Sequence, residues 1–125
     1  MKIALLLMLA GLIRCSDEAM VNARPAVLLP VNRIKQVTLA GRTATFVVNC
    51  TAPNPCYTLA RVEQRAEGNE ITVQVFGRLV SDDPCIQVVA SIDAIATLKL
   101  PAAGTFHFRF ANSSRATVDT SLVID

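Results

Sequence analysis

From about residue 27 to residue 125, apolar and polar side chains alternate with a period of two, and the segment is rich in Val, Ile, Thr and Phe. Such alternation gives a β-strand one apolar and one polar face. No stretch shows a 3.6-residue period bounded by helix caps. The pattern therefore predicts an all-β domain covering residues 27–125.

Turn-forming residues divide this region into about seven strands. Turn signals lie at Gly41, at 53–55, at Gly68-Asn69, at 82–84, at 101–104 and at 112–114. The predicted strands are 32–39, 43–50, 57–66, 70–80, 86–100 (bent or split), 105–112 and 116–124. Short strands with regular turn signals predict an antiparallel two-sheet sandwich of the immunoglobulin-like class.

The clearest local element is a hairpin around Gly68-Asn69, since a two-residue loop needs residues that tolerate positive φ. Its register pairs Glu67 with Glu70. One face then carries Ala60, Val62, Ala66, Ile71, Val73, Val75 and Leu79. The other carries Arg61, Glu63, Arg65, Thr72, Gln74, Phe76 and Arg78. One apolar and one polar face is what a sandwich requires of a strand pair.

The segments 92–100 and 105–110 each place their apolar residues on one face. If residues 101–104 closed a hairpin, Leu98 would lie opposite His107, and the two apolar sets would face opposite ways. Placing the two strands in different sheets lets both sets point into one core. We therefore predict a crossover between sheets at 101–104.

The run Leu-Pro-Ala-Ala-Gly-Thr-Phe-His-Phe at 100–108 resembles the E–F corner of fibronectin type III and related immunoglobulin-like domains. Those domains usually carry Tyr where this chain has Phe106. Because phenylalanine has no hydroxyl group, the resemblance implies a corner held by packing alone.

The N-terminal segment has the layout of an export signal, with Lys2 followed by the apolar run 3–13. Cys15, followed by Ser-Asp-Glu, resembles the acylated cysteine of bacterial lipoprotein signals. Arg14 departs from the Gly, Ala or Ser of such signals, so cleavage near Ala19 or Ala23 is the alternative. We predict a signal peptide at 1–15 with Cys15 as the lipidation site, a flexible tether at 16–26, and a location in the cell envelope or periplasm.

Four cysteines in an exported chain predict disulfide bonding, and their spacing fits no zinc motif. The hairpin register brings Cys56 opposite Ser81, close to Cys85, so Cys56–Cys85 is the preferred bridge. Cys50–Cys56 and Cys50–Cys85 are the rival pairings. If Cys15 is lipidated, one of the other three cysteines has no partner; if it is not, Cys15 is available to pair with that one.

Three short motifs, Asn-Pro-Cys-Tyr at 54–57, Asp-Pro-Cys-Ile-Gln at 83–87 and Gly-Thr-Phe at 104–106, together resemble a group of small bacterial secreted or lipid-anchored β-sandwich domains. The resemblance covers roughly residues 30–112. It implies the fold and the location, and it implies no particular activity.

The sequence offers no catalytic set. His107, the only histidine, lies on the polar side of its strand beside Arg109, without a recognisable nucleophile motif. Asp82-Asp83 fits a turn better than a calcium site, which needs more oxygen ligands. A net charge of +2 falls to zero when Lys2 and Arg14 are removed with the leader, so no nucleic-acid partner is indicated. We predict no enzyme activity, no cofactor and no metal.

Two surfaces are candidates for binding. The first is the pair of cysteine-flanked loops, with Asn54, Asp82 and Asp83. The second is the outer face of the hairpin, with Arg61, Arg65, Phe76 and Arg78. The favoured interpretation of this face is a solvated surface on which arginine side chains cover one Phe. The leading hypothesis is a non-catalytic envelope domain, lipid-anchored to the membrane, that binds a protein or glycan or serves as a structural module. The alternative is a small secreted enzyme inhibitor that uses the braced loops.

Overall fold

Alternation and turn chemistry produce strands almost where they are expected. The computed structural model of the chain describes residues 24–80, 84–113 and 115–125. The described residues form eight strands: β1 (Val27–Leu28), β2 (Val31–Ala40), β3 (Thr43–Ala52), β4 (Tyr57–Glu67), β5 (Glu70–Leu79), β6 (Ala90–Lys99), β7 (Gly104–Ala111) and β8 (Thr117–Ile124). The described part of the chain has no helix, and so none long enough to cross a membrane.

The strands form a two-sheet sandwich, which confirms the predicted fold class. In the five-stranded sheet, β5 pairs with β4 along one edge and with β7 and β1 along the other, and β8 follows β7. The three-stranded sheet has the order β2-β3-β6. Consecutive strands β6 and β7 lie in different sheets, so the predicted crossover at 101–104 is confirmed.

One strand pair differs from the antiparallel expectation. β5 and β7 are parallel, with Glu70 beside His107 and Val73 beside Phe110. All other pairings among the described strands are antiparallel. The parallel pair departs from the two antiparallel sheets of immunoglobulin domains. It follows from the order of the strands, since β7 reaches β5 from the other sheet rather than through a hairpin.

The core lies between the two sheets and is built around three phenylalanines. Phe46 of β3 packs against Phe108 and Phe110 of β7, with ring centroids 4.8 and 5.1 Å apart. Phe106 is also buried, at the corner after the crossover. Leu100 enters the same core, and its amide donates to the carbonyl of Arg42 over 2.8 Å. The corner is therefore held by burial of its aromatic ring and also by a backbone hydrogen bond, which the prediction of packing alone did not include.

The Gly68-Asn69 hairpin is confirmed, with Glu67 opposite Glu70. Gly68 has a φ of 60°, and no residue other than glycine has a positive φ among those described. A glycine of positive φ at the first central position is typical of a type II′ turn, which matches the strand twist. Asn69 then fastens the hairpin to β7, since its side-chain amide donates to the Thr105 carbonyl over 3.0 Å.

The hairpin register is wrong beyond Ala60, where β4 has a bulge. Between the bulge and the turn, Arg61 pairs with Phe76 as predicted. On the other side of the bulge, Leu59 pairs with Gly77 instead of the predicted Arg78. The extra residue turns Leu59 and Tyr57 toward the core side, whereas an unbroken register turns them outward. Cys56 consequently lies next to Val80, with its carbonyl 3.2 Å from the Val80 amide. Ser81, its predicted partner, lies outside the described residues.

The two-residue strand β1 was not predicted, and it depends on a close approach of the Leu29 side chain to the backbone of Gly77. β1 pairs with β5 at Phe76 and Gly77, and the fully buried Leu29 follows it. A Cβ atom at Gly77 would lie 2.6 Å from Cδ1 of Leu29. The glycine therefore makes the space in which Leu29 completes this end of the core.

Candidate functional site

The predicted disulfide Cys56–Cys85 is confirmed, with the two Cα atoms 6.2 Å apart. It links the start of β4 to the segment between β5 and β6, over a sequence separation of 29. Cys50 takes no part, because its side chain lies on the inner face of β3 and is fully buried. Burial, with a smaller effect of the Asp93 carboxylate, raises the pKa of the Cys50 thiol to about 11, so the thiol stays protonated at neutral pH.

Asn54, proposed from the sequence as an exposed contact, is instead internal. Asn54 is only 7% exposed, and its Oδ1 accepts a hydrogen bond of 2.9 Å from the Cys56 amide. The same oxygen lies 3.4 Å from Sγ of Cys85. An Asx turn of this kind fixes the loop before β4. The expectation is corrected because the side chain satisfies a backbone donor and has no surface left to offer.

The disulfide end carries an exposed apolar surface. Four of its residues, which we call the apolar end, lie within ten positions of one another: Val80 (62% exposed), Ile86 (72%), Val88 (52%) and Val89 (74%). The predicted strand 86–100 begins only at Ala90, and β5 ends at Leu79, so all four lie outside the strands. Val80 and Ile86 lie next to the bridged cysteines, since the Val80 amide bonds to the Cys56 carbonyl and Ile86 follows Cys85.

On the outer face of the β4–β5 hairpin, an arginine side chain covers Phe76, which is the interpretation that the sequence favoured. The guanidinium carbon of Arg61 lies 4.3 Å from the ring centroid of Phe76, which is half-buried. Nε of Arg61 also donates to Glu63 over 2.7 Å. The aromatic ring is therefore covered by an arginine that is itself ion-paired. Arg78 lies elsewhere on this face, with its Nε donating to the Arg24 carbonyl over 2.7 Å.

A polar groove of about 320 Å³ continues this face toward β7. Arg65 pairs with Glu67 over 3.2 Å, and Nη2 of Arg109 pairs with Glu70 over the same distance. Nε of Arg109 is buried and has no hydrogen-bond partner in the described part of the chain. Because acids and bases alternate along the groove and are paired, it presents no field of a single sign to attract a charged ligand.

His107 has neighbours that were not predicted. Its Nδ1 lies 2.7 Å from Oγ of Ser121, and its Nε2 lies 3.8 Å from Asp119 on the same strand, β8. The register of the β7–β8 hairpin, which pairs Ala111 with Thr117, is the signal that could have revealed them. His107 and Asp119 side chains are 41% and 43% exposed on an open sheet face. Both side chains are therefore open to solvent.

The outer face of the three-stranded sheet carries a polar network that depends on two bulges in β2. Extra residues at Asn32 and Lys35 leave Val31, Ile34 and Val37 on the core side. The two bulge side chains therefore point outward. Asn32 donates to Thr51 over 2.6 Å, and Lys35 donates to Asp93 over 2.7 Å. The spacing of apolar residues in 31–37 carries the signal for these bulges.

Asp93 is the centre of this network, and the pKa of its carboxyl group reports on its hydrogen bonds to Lys35 and Asn49. Hydrogen bonds from Lys35 and Asn49 lower the pKa of Asp93 below its ordinary value of 3.8. A carboxyl with a lowered folded-state pKa stabilises the fold above its unfolded pKa. This contribution is lost as the pH falls through the folded value, below about pH 4.

We expect the pKa of Asp93, followed by carboxyl chemical shift in an NMR titration, to rise when Lys35→Gln removes the strongest hydrogen bond. Lys35→Arg, which keeps a positive donor, serves as the matched control and should leave a lowered pKa. An unchanged pKa in Lys35→Gln would contradict the contact.

Several predicted site residues lie outside the described residues. They are Cys15, Asp82 and Asp83, together with the signal peptide at 1–15 and most of the tether at 16–26. Within the described ranges, no group of three His, Cys, Asp or Glu side chains is arranged to hold a metal ion.

Fold and surfaces together define a small disulfide-braced β-sandwich domain with one apolar end and two polar outer faces. Residues 46–120, more than half of the chain, match the family model described as the ORF11 beta-sandwich domain. The chain therefore belongs to that family. No curated protein and no solved structure matches the chain.

Proposed function

We propose that this chain is an exported, lipid-anchored β-sandwich domain of a bacterial cell envelope that binds another protein without catalysing a reaction. The observation that carries the binding role is the apolar end, Val80 with Ile86, Val88 and Val89. A surface of this kind gains free energy when a partner covers it. The adjacent disulfide Cys56–Cys85 restrains the segment that carries it, so less chain entropy is lost on binding.

Two features support export. The segment Met1–Ile13 has a positive start and an apolar run of eleven residues, which is typical of a leader. The disulfide Cys56–Cys85 is of the kind that persists in oxidising compartments. Cys15 directly follows the leader region, and acylation there would hold the sandwich at the membrane surface through the segment 16–26.

The non-catalytic role is supported by the character of the polar faces. The groove on the β4–β5 face has its charges paired, and His107 with Ser121 lies on an open sheet. Neither arrangement places aligned donors around a sheltered reacting atom. Turnover of an ester or peptide substrate, abolished by Ser121→Ala, would overturn this part of the proposal.

Export and anchoring are tested by mass spectrometry of the protein expressed with its own leader in a bacterial host. We expect a new N-terminus at Cys15 carrying a diacyl- or triacylglyceryl group, and a peptide linking Cys56 to Cys85. Cys15→Ala is the matched control and should lose the acyl mass. A chain that keeps Met1 with reduced Cys56 would contradict export, and an unacylated chain cut after Ala19 or Ala23 would contradict anchoring.

The second candidate, a secreted enzyme inhibitor, uses the same braced end as a rigid wedge. The specific observation in its favour is Ile86, which is 72% exposed directly beside Cys85. Asn54 is excluded as a contact of that wedge because its side chain is internal. The two candidates are distinguished by whether a hydrolase loses activity on adding the protein and recovers it with Ile86→Ser.

A further inference from the structure

The free edge of β6 is the least protected strand edge of the sandwich. All ten residues of β6, Ala90–Lys99, pair with β3 without a register shift. In the described part of the chain, no strand pairs with the opposite edge of β6. A long, regular edge strand offers a row of unpaired backbone donors and acceptors to another strand.

The other edge strands carry features that oppose such pairing. β2 has two bulges, and β4 has a bulge at Ala60. Bulges interrupt the regular row of donors and acceptors that an added strand needs, whereas β6 has no bulge along its ten residues. β8 is regular, but its only charged residue is Asp119, so two copies of it would meet without a complementary charge.

The outward side chains of β6 are complementary to those of a second copy of the same strand placed antiparallel to it. They run Ser91, Asp93, Ile95, Thr97, Lys99. In an antiparallel pair of identical strands centred on Ala96, Asp93 lies opposite Lys99 and Ile95 lies opposite Thr97, each twice by symmetry. Opposite charges and paired β-branched residues both stabilise a cross-strand contact.

The inner face accepts the same register. Ala94 lies opposite Leu98, and Ala96 lies opposite itself, so apolar residues meet apolar residues on the core side. All three are buried already, and no charge is placed inward. Ile95, which is 62% exposed in the single chain, is covered by the added strand.

We propose that two copies of this chain associate through the free edges of β6, antiparallel and centred on Ala96, so that Asp93 of each copy pairs with Lys99 of the other. The two three-stranded sheets become one continuous six-stranded sheet. Backbone hydrogen bonds supply the affinity, and the alternate side chains select the register. Asp93 keeps its bonds to Asn49 and Lys35, since a carboxylate has about four acceptor positions. The proposal is independent of the role proposed for the apolar end.

Cysteine cross-linking of the protein, purified as its host processes it, tests the register. Ile95→Cys and Thr97→Cys chains are mixed and oxidised, and the products are separated on a non-reducing gel. The mixture should give a cross-linked dimer that contains both variants, because the two positions are opposite one another. Cys50 does not interfere, since its thiol is buried.

Thr45→Cys is the matched control, because Thr45 lies on the same outer face but on the middle strand β3. In the proposed dimer its two copies are separated by three strand spacings, about 14 Å, which is too far for a disulfide. Absence of a mixed cross-link, or equal cross-linking of Thr45→Cys, would overturn the proposal. Stronger cross-linking of Ile95→Cys with itself would also overturn the proposal, because it would place the two-fold axis of the dimer at Ile95 and not at Ala96.

A charge reversal tests the interaction without introducing cysteines. Lys99→Asp replaces two attractive pairs with two repulsive ones and should raise the dimer dissociation constant about tenfold or more. Lys99→Gln removes only the attraction, so its effect should be smaller. Dissociation constants that are equal for the original chain and both variants, measured by analytical ultracentrifugation, would contradict the proposed pairing.

Discussion

Replacing Phe46 with alanine is expected to lower the free energy of unfolding by about 3–5 kcal/mol. Phe46 is fully buried and is the contact between the sheets, since its ring packs on Phe108 and Phe110 of the opposite sheet. Truncation leaves a cavity that neither sheet can fill without moving its backbone. Equilibrium urea denaturation of the original chain and the variant measures the difference.

Val123→Ala is the control for this prediction, because Val123 is an apolar strand residue that is 67% exposed. Its effect should stay within about 0.5 kcal/mol, as for most surface positions. If Phe46→Ala cost no more than Val123→Ala, the packing between the two sheets would not be the main source of stability.

Removing the disulfide with Cys56→Ser and Cys85→Ser is expected to lower the free energy of unfolding by about 3.6 kcal/mol. The value follows from the chain entropy that a loop of 29 residues regains in the unfolded state once the bond is absent. The loss should be seen as a lower urea midpoint with an altered slope, because the unfolded chain becomes more extended.

Reductant supplies the matched control for the disulfide. Dithiothreitol should destabilise the original chain by a similar amount and should leave the double-serine variant unchanged. Equal destabilisation of both chains would mean that reductant acts elsewhere, and equal stability of both chains without reductant would contradict a bracing role for the bond.

Local chemistry explains why most strands could be predicted. The period-two pattern and the turn residues placed seven strands close to their observed bounds, including β3, β4 and β7. Gly68 has the positive φ that its turn requires, so the hairpin pairing of Glu67 with Glu70 followed directly. A hairpin between 92–100 and 105–110 would turn their apolar residues to opposite faces of one sheet. This was enough to predict that β6 and β7 lie in different sheets.

The candidate site was predicted less completely, because its side chains are positioned by features that alternation does not describe. The bulge at Ala60 moved Cys56 by one residue against β5, yet Cys56 still bonded to Cys85, since the two chain segments stay adjacent. Asn54 was predicted as a possible binding residue of the cysteine-flanked loop, but its side chain caps the turn that it occupies.

Sequence alone determined the strand pattern and the separation of β6 from β7, and it favoured Cys56 with Cys85 over two rival pairings, because each depends on residues near in sequence or on which face is apolar. Tertiary structure decided the parallel pairing of β5 with β7, the strand β1 at Gly77 and the bulges that aim Asn32 and Lys35 outward. These depend on how two sheets share one core. Their free energy comes from contacts between distant segments, such as Leu29 on Gly77, which no local pattern encodes.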